Sequence, residues 1–420
     1  MRIILPRRQF LKAIGAGAVF AKSWNFAGKK SRSGSVSEGK SFDVAVIGAG
    51  VFGAWTAYFL RKSGASVALL DAYGPANARA SSGGESRIIR MGYGPDEIYT
   101  RSSVRALPVW KELFAQAGQP QLFQPTGVLW IAQANEEYSL AAVATLEKVG
   151  VHFEKMSTAE MRRRYPQIVF EEGEWGIFEP ESGVLLARRA VQAVVEETRK
   201  NGVEYIEDAV LAPAGQGKIA AVKTVSGNSV SAGAFVFACG PWLPKVFPDV
   251  LASRIFPTRQ EVLFFGVPAG ENRFVAPAMP TWINEKDLFY GMPDIESRGF
   301  KIAHDLHGPA VDPDTQSHIV SAEAVSAAKN YLARRFPALK DPPVVETRVC
   351  QYENTSNGDF LIDRHPAFEN VWLVGGGSGH GFKHGPSVGE HVAARVTKGG
   401  AVAPRYSLAT KQTLQKRAVY

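Results

Sequence analysis

The chain has little cysteine and no long apolar run, and each shortage excludes a class of protein. Two cysteines occur in 420 residues, too few for the disulfide framework of a small secreted domain. The apolar stretch at residues 13–21 has nine residues, whereas a membrane helix needs about twenty. We therefore expect no membrane span in the mature chain, and we identify no tandem repeat and no metal-binding motif.

Acidic residues are missing from the start of the chain, which explains its basic character. The formal net charge is +8 at pH 7, and no Asp or Glu precedes Glu38. Removal of residues 1–32 would take away eight positive charges and leave a formal charge of zero, whereas a cut after Ala21 would remove only four. The excess charge is a property of the N-terminal segment and gives no reason to expect nucleic acid as a partner.

The first 32 residues have the pattern of an export signal. Arg7 and Arg8 are followed by Gln, Phe, Leu and Lys and then by the short apolar stretch, which is typical of a twin-arginine leader. A chance arginine pair in a basic tail is the alternative. We predict a signal peptide at 1–32, a linker at 33–40 rich in glycine and serine, the twin-arginine export machinery as a partner, and a periplasmic or otherwise exported location.

A glycine motif predicts a dinucleotide-binding turn. Gly48, Gly50 and Gly53 follow a buried-strand pattern and precede a helical one, and Asp71 lies eighteen residues after the last glycine. In a Rossmann-like unit these glycines allow the tight turn, the approach of a pyrophosphate and close packing of helix on strand, and the acid accepts ribose hydroxyls. An ordinary glycine-rich turn is the alternative, and the motif does not choose between a nicotinamide and a flavin.

Two arginines follow this unit. Arg87 and Arg90 are three residues apart, after the polar segment that ends at Ser86. On a helical turn this spacing places both guanidinium groups on one side, which suits anion capture. A surface pair of salt-bridged arginines is an equal alternative.

The far end of the chain carries a second glycine-rich turn. Six glycines lie in the eleven residues 375–385, among them Gly377, Gly379 and Gly381, between a buried-strand pattern and a helical one at 387–396. The N-terminus of that helix carries partial positive charge and can stabilise an anionic reduced ring. His380 and Lys383 lie at the mouth of this turn.

From about Phe42 to about Gly400 the chain resembles the D-amino-acid oxidase (DAO) superfamily of flavoproteins. Within it, the resemblance is to the branch of monomeric sarcosine oxidase, N-methyltryptophan oxidase and pipecolate oxidase. The matching blocks keep their order and nearly their spacing: FDVAVIGAGVFG, ESRIIR, TGVLW, FEPESGVL, GPW, PTRQ, GFK, VCQY, GDFLIDRHP and SGHGFK. No single block is specific, but the collinear set is.

The resemblance implies an α/β fold of mixed α+β type with two domains, since about 380 mature residues exceed what one core usually supports. A Rossmann-like FAD-binding domain would be assembled from 41–122, 184–255 and 345–400. A mixed-sheet substrate domain would comprise 123–183 and 256–344, followed by a tail at 401–420. The resemblance also implies a monomer.

The resemblance makes Cys350 the residue whose sulfur is bonded to FAD. On its own, a free core cysteine would be the better interpretation of Cys350, and Cys239 is interpreted as a small buried hydrophobe. Arg348 beside Cys350 is expected to help keep the sulfur as a thiolate. Cofactor-binding residues expected from both glycine turns and the resemblance are Gly48, Gly50, Gly53, Asp71, Ser86, Arg87, Cys350, Gly377, Gly379, Gly381 and Lys383.

The resemblance also implies roles around the reacting edge of the flavin. Lys301 would lie near the ring and promote reaction with oxygen, since a cation is worth most where new charge appears; a strand lysine whose amine reaches solvent is the alternative. Arg87 and His380 complete the catalytic set. Arg90 and Lys383 would bind a substrate carboxylate, with Tyr352 as a further pocket residue.

The implied activity is oxidation of a secondary amine, an N-methyl or cyclic amino acid, to an imine. Oxygen would reoxidise the FAD and yield hydrogen peroxide. Because the amine must react unprotonated, a rate that rises with pH is expected. The alternatives are an FAD-dependent dehydrogenase that passes electrons to a quinone or carrier protein, and a flavin-binding protein with a degraded pocket.

Three departures from the branch pattern fall near the pocket. Phe289 stands where sarcosine oxidases carry a tyrosine that faces the pocket, Asp305 falls where they carry a histidine, and Gly83 replaces another histidine. We therefore expect the flavin assignment to hold better than any particular substrate.

Overall fold

A computed structural model describes residues 40–413. The predicted signal peptide, the linker up to residue 39 and the last seven residues of the predicted tail lie outside the described residues. Within the described part, no helix is long and apolar enough to cross a membrane.

Three sheets organise the described residues. Their strands are β1 Ser41–Ile47, β2 Val67–Asp71, β3 Arg87–Ile89, β4 Phe123–Gln124, β5 Val128–Ala132, β6 Glu154–Met156, β7 Trp175–Glu179, β8 Gly183–Leu185, β9 Glu204–Glu207, β10 Ala221–Lys223, β11 Ser229–Phe237, β12 Ile255–Phe265, β13 Thr281–Asn284, β14 Phe289–Met292, β15 Phe300–His304, β16 Val344–Thr355, β17 Leu361–Arg364 and β18 Val371–Gly375. The helices are α1 Val51–Lys62, α2 Glu97–Gln116, α3 Glu137–Val149, α4 Thr158–Arg164, α5 Ala187–Lys200, α6 Leu243–Val246, α7 Pro248–Leu251, α8 Ala322–Arg335 and α9 Gly385–Lys398.

The first sheet has the order β17-β18-β11-β1-β2-β9, with β10 paired to β11. β1 runs parallel to both β2 and β11, and β18 runs parallel to β11. Helix α1 connects β1 to β2, so these elements form the βαβ unit that a parallel pair requires. One sheet thus collects strands from the start, the middle and the end of the chain.

The second sheet has the order β16-β12-β15-β14-β13-β5-β7-β6, and β3, β8 and β4 form a small third sheet. The longest pairing in the second sheet is the antiparallel ladder of β12 with β16, which runs from Ile255 opposite Thr355 to Phe265 opposite Val344. The mixture of sheets and helices confirms the predicted α/β class. The predicted domain boundaries stay a prediction, and β16 pairs within the second sheet.

Local sequence explains where these elements begin and end. Residues 44–47 of β1 and all of β18 are buried on both faces, as their apolar runs predict. Helix α8 begins where the Ser321 hydroxyl accepts from the amide of Ala324 at 3.2 Å, and it ends before Pro337. This cap and the following proline define the two ends of α8.

A buried ion-pair cluster joins α8 to the second sheet. Arg335 and Glu174 are almost completely buried and lie 2.6 Å apart, and Arg335 also contacts Asp287 at 3.1 Å. Removal of one partner leaves an unpaired buried charge, which is far more costly than loss of a surface pair.

We expect Arg335→Met to lower the free energy of unfolding by about 3–5 kcal/mol. The matched control is Lys329→Met on the same helix, because the partner of Lys329, Asp341, is 80% exposed; it should cost less than about 1 kcal/mol. Urea denaturation of both variants measures the difference. Equal stability losses would show that the buried cluster has no special energetic role.

Candidate active site

The turn between β1 and α1 leaves no room for a side chain. Gly48 has φ +106°, and a Cβ there would lie 2.4 Å from the carbonyl oxygen of Ala238 at the end of β11. Gly50 precedes the first turn of α1, and Gly53 lies within that turn. The bare backbone at this strand end is the geometry that a dinucleotide-binding motif requires.

Asp71 lies at the end of β2 beside this turn. Its carboxylate accepts hydrogen bonds from the amides of Ala49 at 2.7 Å and Tyr73 at 2.9 Å. Burial raises the pKa of Asp71, while those amide donors oppose the rise. The carboxylate is therefore held in place by the turn, and it faces the adjoining cavity.

A cavity of about 290 Å³ runs from the first glycine turn to the second. Its lining includes Gly48, Gly50, Asp71, Arg87, Cys239, Cys350, Tyr352, Glu353, Gly377, Gly379 and Gly381. The structure thus brings together residues more than 300 positions apart in the sequence. A cleft between two glycine-rich strand ends, with an acid at one strand end and a cysteine in the wall, fits the FAD that the sequence predicts.

Arg87 contacts the sulfur of Cys350 directly. Its Nη2 donates to Sγ at 3.2 Å and to the carbonyl of Ser81 at 2.8 Å. Arg348, which the sequence analysis assigns to this role, instead donates to the carbonyl of Ala78 at 2.9 Å. Arg87 therefore supplies the cation that touches the sulfur, whereas Arg348 interacts with Cys350 electrostatically from a greater distance, and its role stays a prediction.

The helical interpretation of Arg87 and Arg90 is also wrong. Residues 87–89 form strand β3, which pairs with β8, and extended chain sends residues three apart to opposite faces. Arg87 accordingly reaches Cys350, whereas the guanidinium of Arg90 lies over the rings of Tyr93, at 4.2 Å, and Trp130, at 4.6 Å.

Lys301 is buried on β15. Its Nζ donates to the carbonyl of Ser86 at 2.9 Å and to the Ser86 hydroxyl at 3.2 Å. Burial lowers the pKa of Lys301 well below its ordinary value, and the nearby Arg87 lowers it further. Lys301 is 2% exposed, so the alternative of a lysine reaching solvent is excluded.

A second cationic cluster surrounds Tyr93. Lys383 Nζ donates to the Tyr93 hydroxyl at 2.8 Å and to the carbonyl of His380 at 3.0 Å. Arg90 lies over the same tyrosine ring, and both cations are buried. Burial lowers the pKa of Lys383 well below its ordinary value, and Arg90 adds to the effect. The structure therefore places Arg90 and Lys383 together, as a carboxylate-binding pair requires.

His380 packs against this cluster next to Tyr93 and Lys383. Its Nε2 donates to the carbonyl of Gly358 at 3.0 Å, and its ring stacks on Phe360 with centroids 5.0 Å apart. Its Nδ1 lies 3.4 Å from the Tyr93 hydroxyl. These contacts orient Tyr93, and the neighbouring Gly379 and Gly381 form the cavity wall.

Tyr352 closes the cavity next to the second glycine turn. Gly379 has φ +80°, and a Cβ there would lie 2.7 Å from the Tyr352 ring. The Tyr352 hydroxyl donates to Asp305 Oδ1 at 3.1 Å. Burial raises the pKa of Tyr352 well above its ordinary value, and the Asp305 carboxylate adds to the effect.

The pocket tyrosine next to Tyr352 is Tyr290, which the sequence analysis missed. Phe289, assigned to the pocket wall, stacks on His304 at 4.4 Å and on Tyr331 at 4.3 Å. In the pairing of β14 with β15, Tyr290 lies opposite Ala303, and its ring lies 5.9 Å from Lys301 Nζ. Strict alternation from Lys301 along paired strands is the signal that identifies the residue.

Glu353 is a second missed residue. It follows Tyr352 on β16, is 8% exposed, and accepts from the amide of Gly377 at 3.2 Å. Burial raises the pKa of Glu353 to about 7. A glutamate within a strand that contains the predicted flavin-linked cysteine is the signal in the sequence.

Comparison with known proteins assigns the family. Residues 43–395 match the family model of the DAO FAD dependent oxidoreductases. Peroxisomal sarcosine oxidase of Homo sapiens is 31% identical over 88% of this chain and 94% of its own. Monomeric sarcosine oxidase of Bacillus sp. (strain NS-129) is 30% identical over 85% of this chain and 93% of its own. The chain belongs to the DAO family of FAD-dependent oxidoreductases.

Solved structures support the fold. L-proline dehydrogenase from P. horikoshii superposes with a TM-score of 0.75 at 22% identity, covering 88% of this chain and 97% of the other. A fructosyl peptide oxidase mutant gives a TM-score of 0.76 at 20% identity, with coverages of 88% and 94%. The protein is therefore an FAD-dependent oxidoreductase, as the sequence analysis predicts.

We expect Glu353→Gln to become more stable than wild type as the pH rises. In the unfolded chain this carboxyl has a pKa of 4.5, and burial raises it to about 7 in the folded protein. Ionisation of the buried carboxyl lowers the stability of the wild type. This loss is absent below the unfolded pKa of 4.5, grows between that value and the folded pKa of about 7, and is complete above the folded pKa. The gain between about pH 5 and pH 8 should reach about 3 kcal/mol.

Urea denaturation at both pH values, with matched flavin content, measures this effect. The control is Glu172→Gln, because the Glu172 side chain is 90% exposed, and its difference from wild type should not change with pH. A pH-independent difference for Glu353→Gln would show that the carboxyl is already compensated in the folded state.

Proposed function

We propose that this protein is an oxidase of secondary amino acids, N-methylated or cyclic, that produces an imine and hydrogen peroxide. The observation that carries the proposal is the convergence of buried Arg90 and Lys383 on Tyr93. Two cations on one carboxylate fix the orientation of an amino acid. Relatives about 30% identical over most of their length are sarcosine oxidases, which supports the same class of substrate.

FAD, when bound, supplies the electron sink that takes a hydride equivalent from the carbon beside the amine and transfers it to dioxygen. Gly48, Gly50 and Asp71 would hold its nucleotide part, and Arg87 and Cys350 lie in the wall where its ring would fit. Arg87 lines this end of the cavity, and Lys301 lies near Arg87. Positive charge at this position favours an anionic reduced state.

We also propose that the cofactor is bonded through Cys350. The sulfur lies in the cavity wall and accepts from Arg87 at 3.2 Å, and a neighbouring guanidinium stabilises the thiolate form that reacts. Cys239 lines the same cavity, but burial raises the pKa of its thiol well above the ordinary value, which makes it the unreactive one of the pair.

The location and assembly of the protein are proposed from the sequence. The arginine pair at 7 and 8 and the short apolar stretch after it support export by the twin-arginine route to the periplasm or beyond. That route carries folded proteins, which suits an enzyme that acquires FAD before export. We further propose that the protein acts as a monomer, as the name of the monomeric sarcosine oxidases suggests for those relatives.

We expect Cys350→Ser to release its flavin on acid precipitation. In the wild-type protein the yellow colour should stay with the pellet, whereas in the variant it should move to the supernatant. Cys239→Ser is the matched control, because it removes the other cysteine of the same cavity and should retain the colour in the pellet. Release of flavin from the wild-type protein would rule out the covalent bond.

We expect Lys301→Met to slow reoxidation by oxygen about 100-fold, the size of effect seen when one charge-stabilising group is removed. Sarcosine, pipecolate and N-methyl aromatic amino acids are first tested for anaerobic bleaching of the flavin. Oxygen is then admitted, and the recovery of absorbance and the peroxide yield are measured.

Bleaching by at least one secondary amino acid and one peroxide per turnover are the expected results for the wild type. The control is Lys286→Met, an exposed lysine paired with Glu171 at 2.8 Å, which should behave as wild type. Reduced wild-type protein that is stable in air but reoxidised by a dye would identify a dehydrogenase. Failure of every secondary amino acid to bleach the flavin would overturn the proposed function.

A further inference from the structure

The hydrogen bond between Tyr352 and Asp305 fixes the direction in which the Tyr352 hydroxyl donates its proton. The Tyr352 hydroxyl donates to Asp305 Oδ1 at 3.1 Å. An ionised carboxylate accepts hydrogen bonds only, and a phenol has one proton to give. With that proton committed to Asp305, the Tyr352 oxygen has two lone pairs to offer. The neighbouring Tyr290 hydroxyl is one hydrogen-bond partner of Tyr352, and the remaining lone pair can accept from a donor in the cavity that Tyr352 lines.

Asp305 is held in position independently of Tyr352. Its amide donates to the carbonyl of Leu288 at 2.6 Å, which anchors the residue just after β15 beside the loop between β13 and β14. The carboxyl is therefore positioned by the backbone of the second sheet, and Tyr352 by the ladder of β16 with β12.

Asp305 lies among groups of both charges. Positive charge on Arg90 and Lys383 favours its ionised form, whereas burial raises its pKa to about 6. The Asp305 charge in turn raises the pKa of Glu285, which burial brings to about 7. The titratable and charged groups that face Asp305 are Arg90, Lys383, Glu285, Tyr290 and Tyr352.

This arrangement matches a zwitterion. Arg90 and Lys383 are suited to a carboxylate, and the Tyr352 oxygen backed by Asp305 is suited to an ammonium. A pocket with only the two cations would repel an ammonium and would select the neutral amine, which at pH 7 is about one part in a thousand when the amine pKa is about 10, as for lysine. An acceptor inside the pocket lets the abundant ammonium form bind, and it makes the fraction of neutral amine in the complex independent of pH.

We propose that Asp305, acting through Tyr352, accepts the proton of the substrate ammonium in the bound complex. This inference rests on the proposed function. One N–H bond of the ammonium breaks as its proton passes to the Tyr352 oxygen, and the phenolic proton of Tyr352 passes to Asp305. The amine becomes neutral, no electrons are exchanged, and Asp305 later returns the proton to solvent. Asp305 is thus a positioning and proton-accepting residue, and Tyr352 contacts the substrate.

The pH profile of flavin reduction tests the proposal. With the wild type, the second-order rate of anaerobic bleaching by sarcosine or pipecolate should be nearly constant from about pH 7 to pH 9, because Asp305 is ionised and the ammonium is the form that binds. This flat profile replaces the rise with pH that the sequence alone leads us to expect. With Asp305→Asn it should rise about ten-fold per pH unit toward the amine pKa. The ratio of the wild-type rate to the variant rate should therefore fall about ten-fold per pH unit between about pH 7 and pH 9.

Two further variants separate a proton-accepting role from a structural one. Asp305→Glu should restore the flat profile in part, because it keeps the carboxylate. Asp341→Asn is the matched control, since that aspartate is 80% exposed on the surface and should leave the profile unchanged. A loss for Asp305→Asn that is equal at every pH would overturn the proposal.

Proton counting on binding gives a readout without turnover. The probe is 2-aminoisobutyrate, which has no hydrogen on the carbon beside its nitrogen and so cannot be oxidised there. Calorimetry near pH 8 in two buffers of different ionisation enthalpy should show about one more proton released for Asp305→Asn than for the wild type, a difference that proton uptake at Lys383 does not change because both proteins carry that lysine. Equal proton release by both proteins, or no binding to the wild type, would count against zwitterion recognition.

The two proposals fail in different ways. If no secondary amino acid bleaches the flavin even near pH 10, where neutral amine is abundant, the proposed function is wrong, and the proton count still tests Asp305. If bleaching occurs but the profile of Asp305→Asn runs parallel to wild type, the function stands and the role of Asp305 is wrong.

Discussion

The site depends on the close packing of the main chain where β1, β2 and β11 end. The amide of Gly48 donates to Leu70 at 2.7 Å, and the amide of Ala238 donates to Ile47 at 2.7 Å. These bonds hold the first glycine turn so near β11 that a Cβ on Gly48 would meet the Ala238 oxygen. The cavity opens directly beyond this point, with the N-terminus of α1 beside it, so a side chain here would displace the whole nucleotide-binding end.

Strand β16 connects that end to the second sheet. It pairs along its length with β12, and its carboxyl end contacts the second glycine turn, where the amide of Ser378 donates to the Glu353 carbonyl at 3.2 Å. Side chains alternate along β16, so Cys350 and Tyr352 share the face that lines the cavity. A single strand thereby sets the distance between Cys350 and Tyr352.

Local sequence predicts the parts of this site but not their partners. Strand and helix patterns, both glycine turns and Asp71 are local signals, and the structure places them as expected. The contact of Arg87 with Cys350 joins residues 263 positions apart, and no local pattern specifies it. The exchange of Phe289 for Tyr290 has a similar cause, because the face that each side chain takes is set by the pairing of β14 with β15, which no local pattern specifies.

Two buried lysines couple the binding of anions in this site to the stability of the protein. Burial lowers the pKa values of Lys301 and Lys383 well below their ordinary range, and it does so because the charged form has lost its water. An anion bound nearby opposes this effect, so a bound carboxylate would raise the pKa of Lys383, and a reduced ring would raise that of Lys301. By linkage, the binding of each anion favours proton uptake at the lysine and also stabilises the fold. Buried lysines of this kind stabilise the protein most when its ligands are present, which is the behaviour expected of a site built for charge that appears during the reaction.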